Sequence, residues 1–243
     1  MLTSIQYGFV NCICLVTVGL IDYGLILVKG TDLLWGSFCG FLNGIITAIV
    51  VNGTLPYIEE YFAFATPTKL LELTSPDNPL QKRLAEEAPG TYQHSIAVAD
   101  MASQAASAIG ADALLAKVCA LYHDVGKLKR PEYYTENQQG GPNKHDEKQP
   151  VMSALIITSH VTDGVEMARE YGVPETVTKI MSQHHGKTLV EYFFNKQIEW
   201  LKQNGGGKAD ENQFRYKTDK PRTKEAATHD AKWVCNKKAK IPR

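Results

Sequence analysis

Tyr122-His123-Asp124-Val125-Gly126-Lys127 is the stretch on which the reading of this chain turns. It closes an apolar run that begins after Asp112, and it sets a histidine beside a carboxylate where Gly126 ends the helical pattern. Neighbours on a helix point about 100° apart, so in mid-helix they share one ion poorly. At a helix end the backbone can turn and bring both to one centre. Outward from this pair lie His94 upstream, and His160 and His184-His185 downstream. Each sits in or at the end of a stretch with helical periodicity, and five of the seven histidines fall in this set. Imidazoles and one carboxylate converging from several helices are how a bundle builds a metal site. The donors suit Fe, Mn or Zn, and the two oxygens of Asp124 can bridge two ions. Two adjacent ions suit phosphodiester hydrolysis. Lys127, about one turn beyond Asp124, is placed to meet a phosphate as a point charge. Each piece alone is a common accident of sequence, and His145 and His229 stand outside the set. His145 reads as a surface residue or one that supports a ligand from behind.

The surrounding pattern is all-α. Residues 79–87 read as a short helix, and Pro89-Gly90 as a stop. Thr91 reads as the N-cap of a helix reaching about residue 109. Asp112 caps another that runs to 123. Further helices are expected over 150–171, 174–185 and 189–203, with polar loops at 127–149 and 204–222. Apolar residues recur at helical spacing (Ile96, Val98 and Met101; Ile156, Ile157 and Val161), and no alternating strand pattern or internal repeat appears. Residues 66–79 read as a linker, with Pro67, Pro76, Asp77 and Pro79 as breakers.

The apolar content is uneven. Residues 7–28 are almost wholly apolar, interrupted by Asn11 and Asp22, and 33–58 form a second apolar run after the polar turn Lys29-Gly30-Thr31-Asp32. Each is long enough to span a bilayer, which takes roughly 20 residues. A cleaved signal peptide fits the first run poorly, because no basic segment precedes it and a second apolar span follows. A buried helical hairpin in a soluble protein is the alternative. Lys69, Lys82 and Arg83 follow the second run while the turn between spans holds only Lys29, a bias that puts the C-terminal region in the cytoplasm. Gly24, Gly40 and Gly44 let apolar helices pack closely, within one chain or in a homodimer. The expected division is a transmembrane hairpin at 1–64, a linker at 65–78, a helical domain at 79–227 and a basic tail at 228–243.

Formal net charge is zero, which argues against a nucleic acid polymer as partner. The five cysteines (Cys12, Cys14, Cys39, Cys119, Cys235) show no metal-binding spacing and read as unpaired thiols in a reducing setting.

The order His94, His123-Asp124-Val-Gly-Lys127, His160, His184-His185 resembles the signature of HD-domain metal phosphohydrolases. The text from Leu71 to Leu80, Ala88-Pro-Gly-Thr-Tyr-Gln-His-Ser95, Tyr122 to Tyr133, and Ser153 to His160 is similar to PgpH-type proteins. Those are seven-transmembrane HD proteins that hydrolyse cyclic di-AMP. The resemblance implies a cytoplasmic helical HD bundle at the cell membrane and two divalent ions, Fe or Mn. It implies His94, His123 and Asp124 on the first ion, and His160, His184 and His185 on the second, with Asp124 bridging. Water activated between the ions would attack phosphorus in line and open cyclic di-AMP to pApA, with Lys127 steadying the phosphate.

The chain departs from the family at both ends. The family pattern has an extracellular domain and further spans upstream, so the expectation is that this chain corresponds to the rear portion. Phe214-Arg-Tyr216 and Lys224-Glu-Ala-Ala227 fit the family, which then continues into an apolar helix bearing another ligand Asp. Here that register falls near Trp233, Asp230 lies three positions early, and the text is basic. A frameshift or truncation accounts for this, and impaired turnover is expected. A membrane-tethered domain that binds nucleotide or metal without turnover, or an HD phosphohydrolase for another nucleotide, remain the alternative readings.

Overall fold

A computed structural model of the 243-residue chain describes residues 30–62, 65–138, 140 and 143–228. It divides into two compact units, 1–62 and 63–243. The first apolar run, with Asp22, Cys12 and Cys14, lies outside the described residues, as does the tail from His229 with Asp230 and Trp233.

In the first unit, helix α1 (Gly30–Phe62) contains Leu34–Leu55, 22 residues long and apolar enough to cross a membrane. Among the described residues it is the one such helix. At 1.5 Å per residue, 33 residues extend about 50 Å. Leu34, Trp35, Phe41, Ile45 and Ile49 are exposed. Two of its polar side chains are satisfied by the helix itself: Asn52 Nδ2 donates to Ala48 O at 2.7 Å and Thr54 Oγ1 to Val50 O at 2.8 Å. Internal satisfaction of this kind is what a lipid environment demands.

Among the described residues of the second unit the regular elements are all helical, and the one ladder-type pairing is the bridge Leu189–Arg215. Residues 66–79, expected as a linker, begin with helix α2 (Pro67–Leu73). Pro67 occupies the first turn, where no amide partner is needed, so it starts a helix instead of breaking one. Thr66 caps it through Lys69 N, and Leu70 and Leu73 are buried. Helix α3 (Pro79–Glu87) is capped by Asn78. Helix α4 (Pro89–Ala108) follows directly, so Pro89-Gly90 opens a helix where a stop was expected, and Thr91 lies inside the first turn instead of capping it. Asn137, from a distant turn, does the capping: its Oδ1 accepts from Thr91 N at 3.0 Å and its Nδ2 donates to Thr91 Oγ1 at 2.9 Å. Gly90 has no room for a side chain, since a Cβ there would sit 1.9 Å from Glu136 O.

Asp112 caps helix α5 (Ala113–Tyr122) as expected, accepting from Leu114 N and Leu115 N. The helix stops at Tyr122 and a 3-10 turn, Val125–Lys129, carries the chain on. Two more such turns, Pro131–Tyr133 and Thr135–Asn137, lie in the stretch expected as a polar loop. Helix α6 (Pro150–Glu170) runs against the Val125–Lys129 turn. Helix α7 (Glu175–Met181) ends four residues before the expected end at His185, and the two histidines sit on the turn that follows. Helix α8 (Glu191–Gln203), the 3-10 turn Glu211–Phe214 and helix α9 (Lys224–Thr228) complete the unit.

Leu80, Leu84, Val118, Tyr122, Val125, Val177 and Met181 are buried in the main core between these helices. A smaller cluster of Ala154, Phe193 and Phe214 lies where α6 meets α8. Each large apolar side chain buried here contributes roughly 1.5–3 kcal/mol. Together they hold α5, α6 and the turn after α7 around one polar pocket.

Candidate metal centre

The six singled-out residues arrive on four pieces of backbone. His94 is on α4 and faces solvent. His123 caps the C-terminus of α5, and Asp124 follows it. His160 is on α6, and His184 and His185 are on the turn after α7. Donor atoms of Asp124, His160, His184 and His185 lie within 4.8 Å of one another, and those of His94, His123 and Asp124 do likewise. Asp124 belongs to both groups. Its Oδ2 lies 3.1 Å from His123 Nε2, while its Oδ1 lies 3.2 Å from His160 Nε2 and 3.7 Å from His184 Nε2.

Three of the imidazoles are oriented alike. His123 Nδ1 donates to Ala120 O at 2.7 Å, His160 Nδ1 to Ile157 O at 2.6 Å and His184 Nδ1 to Met181 O at 2.5 Å. Each acceptor is a carbonyl three residues back, freed by a helix end or shared within the helix. A carbonyl can only accept, so the proton is held on Nδ1 and the Nε2 lone pair points inward.

Whether a cation fits can be judged from what the pocket lacks. Asp124 Oδ1 is buried without a hydrogen-bond donor. His160 Nε2 and His184 Nε2 face each other at 3.2 Å, so their lone pairs oppose one another. Buried acceptors crowded together without donors are costly unless a cation satisfies them. The donor set therefore fits divalent metal.

Charge follows the same plan. Burial opposes ionisation of Asp124, yet His123 and Lys127 beside it hold its carboxyl well below the usual carboxylate range. Burial works against protonation of His123 too, but the Asp124 charge raises it. Burial, then the adjacent His185, pushes His184 far down, and burial with His160 nearby pushes His185 to about 3. Burial and His123 also lower His94. Neutral imidazoles are the form that ligates metal.

Lys127 Nζ lies 2.9 Å from Asp124 Oδ2 and 2.6 Å from Glu136 Oε1, and 5.0 Å from the Tyr134 ring centre. Burial disfavours its charge, but the two carboxylates outweigh that and raise it. Glu136, Tyr134 and Tyr216 escaped sequence reading. Tyr216 stacks on His185 with centroids 4.1 Å apart, and Tyr134 donates its hydroxyl to Ile156 O. Only Tyr216 carried a signal, as part of the Phe214-Arg-Tyr216 match. His145 is buried, contrary to a surface placement, packed edge-on to Tyr133 and against Phe193. A cavity of about 430 Å³ adjoins the centre. Tyr133, Tyr134, Tyr192, Phe193 and Tyr216 line it, with Lys127, His160 and His185 at the metal end.

The HD domain, as a family, matches residues 91–230, from the first turn of α4 to just beyond α9. The chain belongs to the HD-domain family. Within that family it is similar to the cyclic-di-AMP phosphodiesterase PgpH of Bacillus subtilis (strain 168), at 39% identity over 227 residues, 93% of this chain. The PgpH of Listeria monocytogenes serotype 1/2a (strain 10403S) is also 39% identical over 93% of this chain. The chain spans 31% of the length of these curated relatives. The crystal structure of the L. monocytogenes PgpH HD domain in complex with cyclic-di-AMP superimposes with a TM-score of 0.60 at 40% identity. That match covers 70% of this chain and 78% of the crystallised one.

Proposed function

We propose that this HD domain is a divalent-metal phosphodiesterase that opens cyclic di-AMP to linear pApA. One observation carries the reading: Asp124 offers one oxygen toward His123 and the other toward His160 and His184. A single carboxylate serving two groups of imidazoles suits two ions, which we take to be Fe or Mn, rather than one. His94, His123 and Asp124 would hold the first, and Asp124, His160, His184 and His185 the second. Bound there, divalent ions supply Lewis acidity toward water and phosphate. The chain's own residues do the rest. The carbonyl-anchored histidines keep their lone pairs inward, Asp124 stays ionised, and Lys127 presents a protonated amine to the phosphate. The tyrosine-lined cleft offers flat apolar walls to a nucleobase, a contact worth roughly 1–3 kcal/mol per base. The likeness to the PgpH proteins supports cyclic di-AMP among nucleotide substrates.

The text near Trp233, where the family places another acid, predicts that turnover suffers more than binding. The assay is release of pApA from cyclic di-AMP by the full chain with Mn or Fe supplied. Installing an acid-bearing family helix after Ala227 should raise the rate. Absence of pApA from both chains would sink the catalytic reading in favour of a binding domain. We infer further that two spans anchor the chain with the HD domain facing the cytoplasm. Release of the full chain from membranes by alkaline extraction would count against that.

A further inference from the structure

The turn after α7 has a second compartment on its other side. A cavity of about 630 Å³ is bordered by His185, Gly186, Lys187, Thr188, Arg215 and Lys220, and among the described residues no carboxylate lines it. Among the proposed ligands, His185 borders both this cavity and the aromatic cleft. The wall is built by the segment that follows the Glu211–Phe214 turn. Tyr216 N donates to Thr188 O at 3.1 Å, Thr218 Oγ1 to Gly186 O at 2.7 Å, and Arg222 N to Gln183 Oε1 at 3.0 Å. These bonds lay the segment along the histidine-bearing turn. A Cβ on Gly186, which has φ +53°, would touch Lys220 Cα at 3.5 Å, so Lys220 is held beside the residue next to His185.

The three cations of the cavity are not equivalent. Arg215 is committed: Nη1 donates to Lys187 O at 2.9 Å and Nη2 pairs with Glu211. Lys187 and Lys220 have no ion-pair partner among the described residues. Two uncommitted ammonium groups therefore flank a recess that opens beside a metal ligand. The reacting phosphate at the centre and Lys127 leave this charge unused. A nucleoside monophosphate has nothing more to offer it. A cyclic dinucleotide does, because its second phosphodiester lies one nucleoside away from the first within the same ring.

We propose that this cavity is a subsite for the second, non-reacting phosphate of a cyclic dinucleotide, held by Lys187 and Lys220. The proposal rests on the phosphodiesterase reading and adds to it a reason for preferring substrates with two phosphates. Lys contacts phosphate as a point charge, so the subsite tolerates either direction of the ring and weakens with salt.

The test compares the Mn-loaded full chain with its Lys187→Ala/Lys220→Ala form, using calorimetric binding of cyclic di-AMP and of AMP. The double variant should bind cyclic di-AMP about tenfold more weakly at low salt, and the difference should shrink at high salt. Its affinity for AMP should fall by much less. A Lys82→Ala/Lys202→Ala form, which removes the same charge elsewhere, should bind cyclic di-AMP as the unaltered chain does. Equal affinity of the double variant and the unaltered chain for cyclic di-AMP would overturn the subsite, as would an equal loss for AMP or from the control pair. An affinity difference as described, with no pApA formed by either chain, would uphold the subsite and count against the catalytic reading alone.

Discussion

The two sides of the centre use the same donor chemistry in different surroundings. On one side Asp124, His160 and His184 are buried and His185 is partly so; on the other, His94 opens to solvent beside the buried His123. Burial decides what the imidazoles carry before an ion arrives. On the buried side it strips protons, leaving His184 and His185 neutral with lone pairs ready. On the open side Asp124 overcomes burial and favours a proton on His123, which an ion must displace. With two ions as proposed, the buried side should therefore hold its ion more tightly and across a wider pH range. The open side has three donors among the described residues, against four.

The largest effect should come from the residue both sides share. Asp124→Ala should reduce affinity for both ions by more than about 100-fold, beyond the cost of losing an outlying support. Metal analysis of purified protein reads this, and wild-type metal content in the variant would remove the bridge from the account. Replacing one imidazole on each side sharpens the contrast. His184→Ala should deplete the buried-side ion, whereas His94→Ala should spare it and lower only the other. Stoichiometry by titration decides, and loss of both ions from His94→Ala would erase the distinction between the sides.

The sides meet because backbone touches backbone. A Cβ on Gly126 would lie 1.9 Å from His160 O and 2.4 Å from Gly164 N. Gly126→Ala should therefore push the Val125–Lys129 turn off α6, costing about 3 kcal/mol of stability. Denaturant unfolding measures it; a midpoint unchanged from the unaltered chain would mean that the contact is loose.

The smallest expected effect is one of pH. His184 and His185 have folded-state values below the ordinary histidine value near 6.5. The unfolded chain takes up protons first as pH falls, so their contribution is present above about 6.5 and is lost below it. His123 is raised and works oppositely: its contribution is fully present by about 6.5 and is lost as pH rises above that, so it offsets only the upper part of the fall. His94 and His145 are lowered as well, so four histidines lowered against one raised leave a net loss of stability between neutral pH and about 5.5 for the metal-free protein. Thermal unfolding with chelator present checks the sign, and His123→Gln should steepen the loss. A flat profile would mean that these histidines share protons more evenly than their surroundings dictate.

Much of this arrangement was legible in one dimension. His94, His123, Asp124, His160, His184 and His185 announce themselves by type and order, and Asp112 announces a helix start by its place before an apolar run. The misreadings share one cause. Pro89-Gly90 looks like a stop and Thr91 like a cap, because local propensity cannot see Asn137 arriving to satisfy the first turn. Gly126 follows the end of α5 as expected, and what the sequence could not show is that its missing side chain admits α6. The turn 127–137 looks like solvated loop, yet it carries Glu136 to Lys127 and Tyr134 to the cleft.

The sequence by itself determined the all-helical class, the inventory of donors and the apolar run Leu34–Leu55. These depend on residue type and short-range periodicity, which are properties of neighbours in the chain. Only the tertiary structure decided which oxygen of Asp124 faces which histidines and which imidazoles lose their protons. It also decided that Lys187 and Lys220 flank a recess beside His185. Those depend on burial and on distances between residues far apart in sequence. Desolvation and Coulomb interaction act through space, so no reading along the chain can supply them.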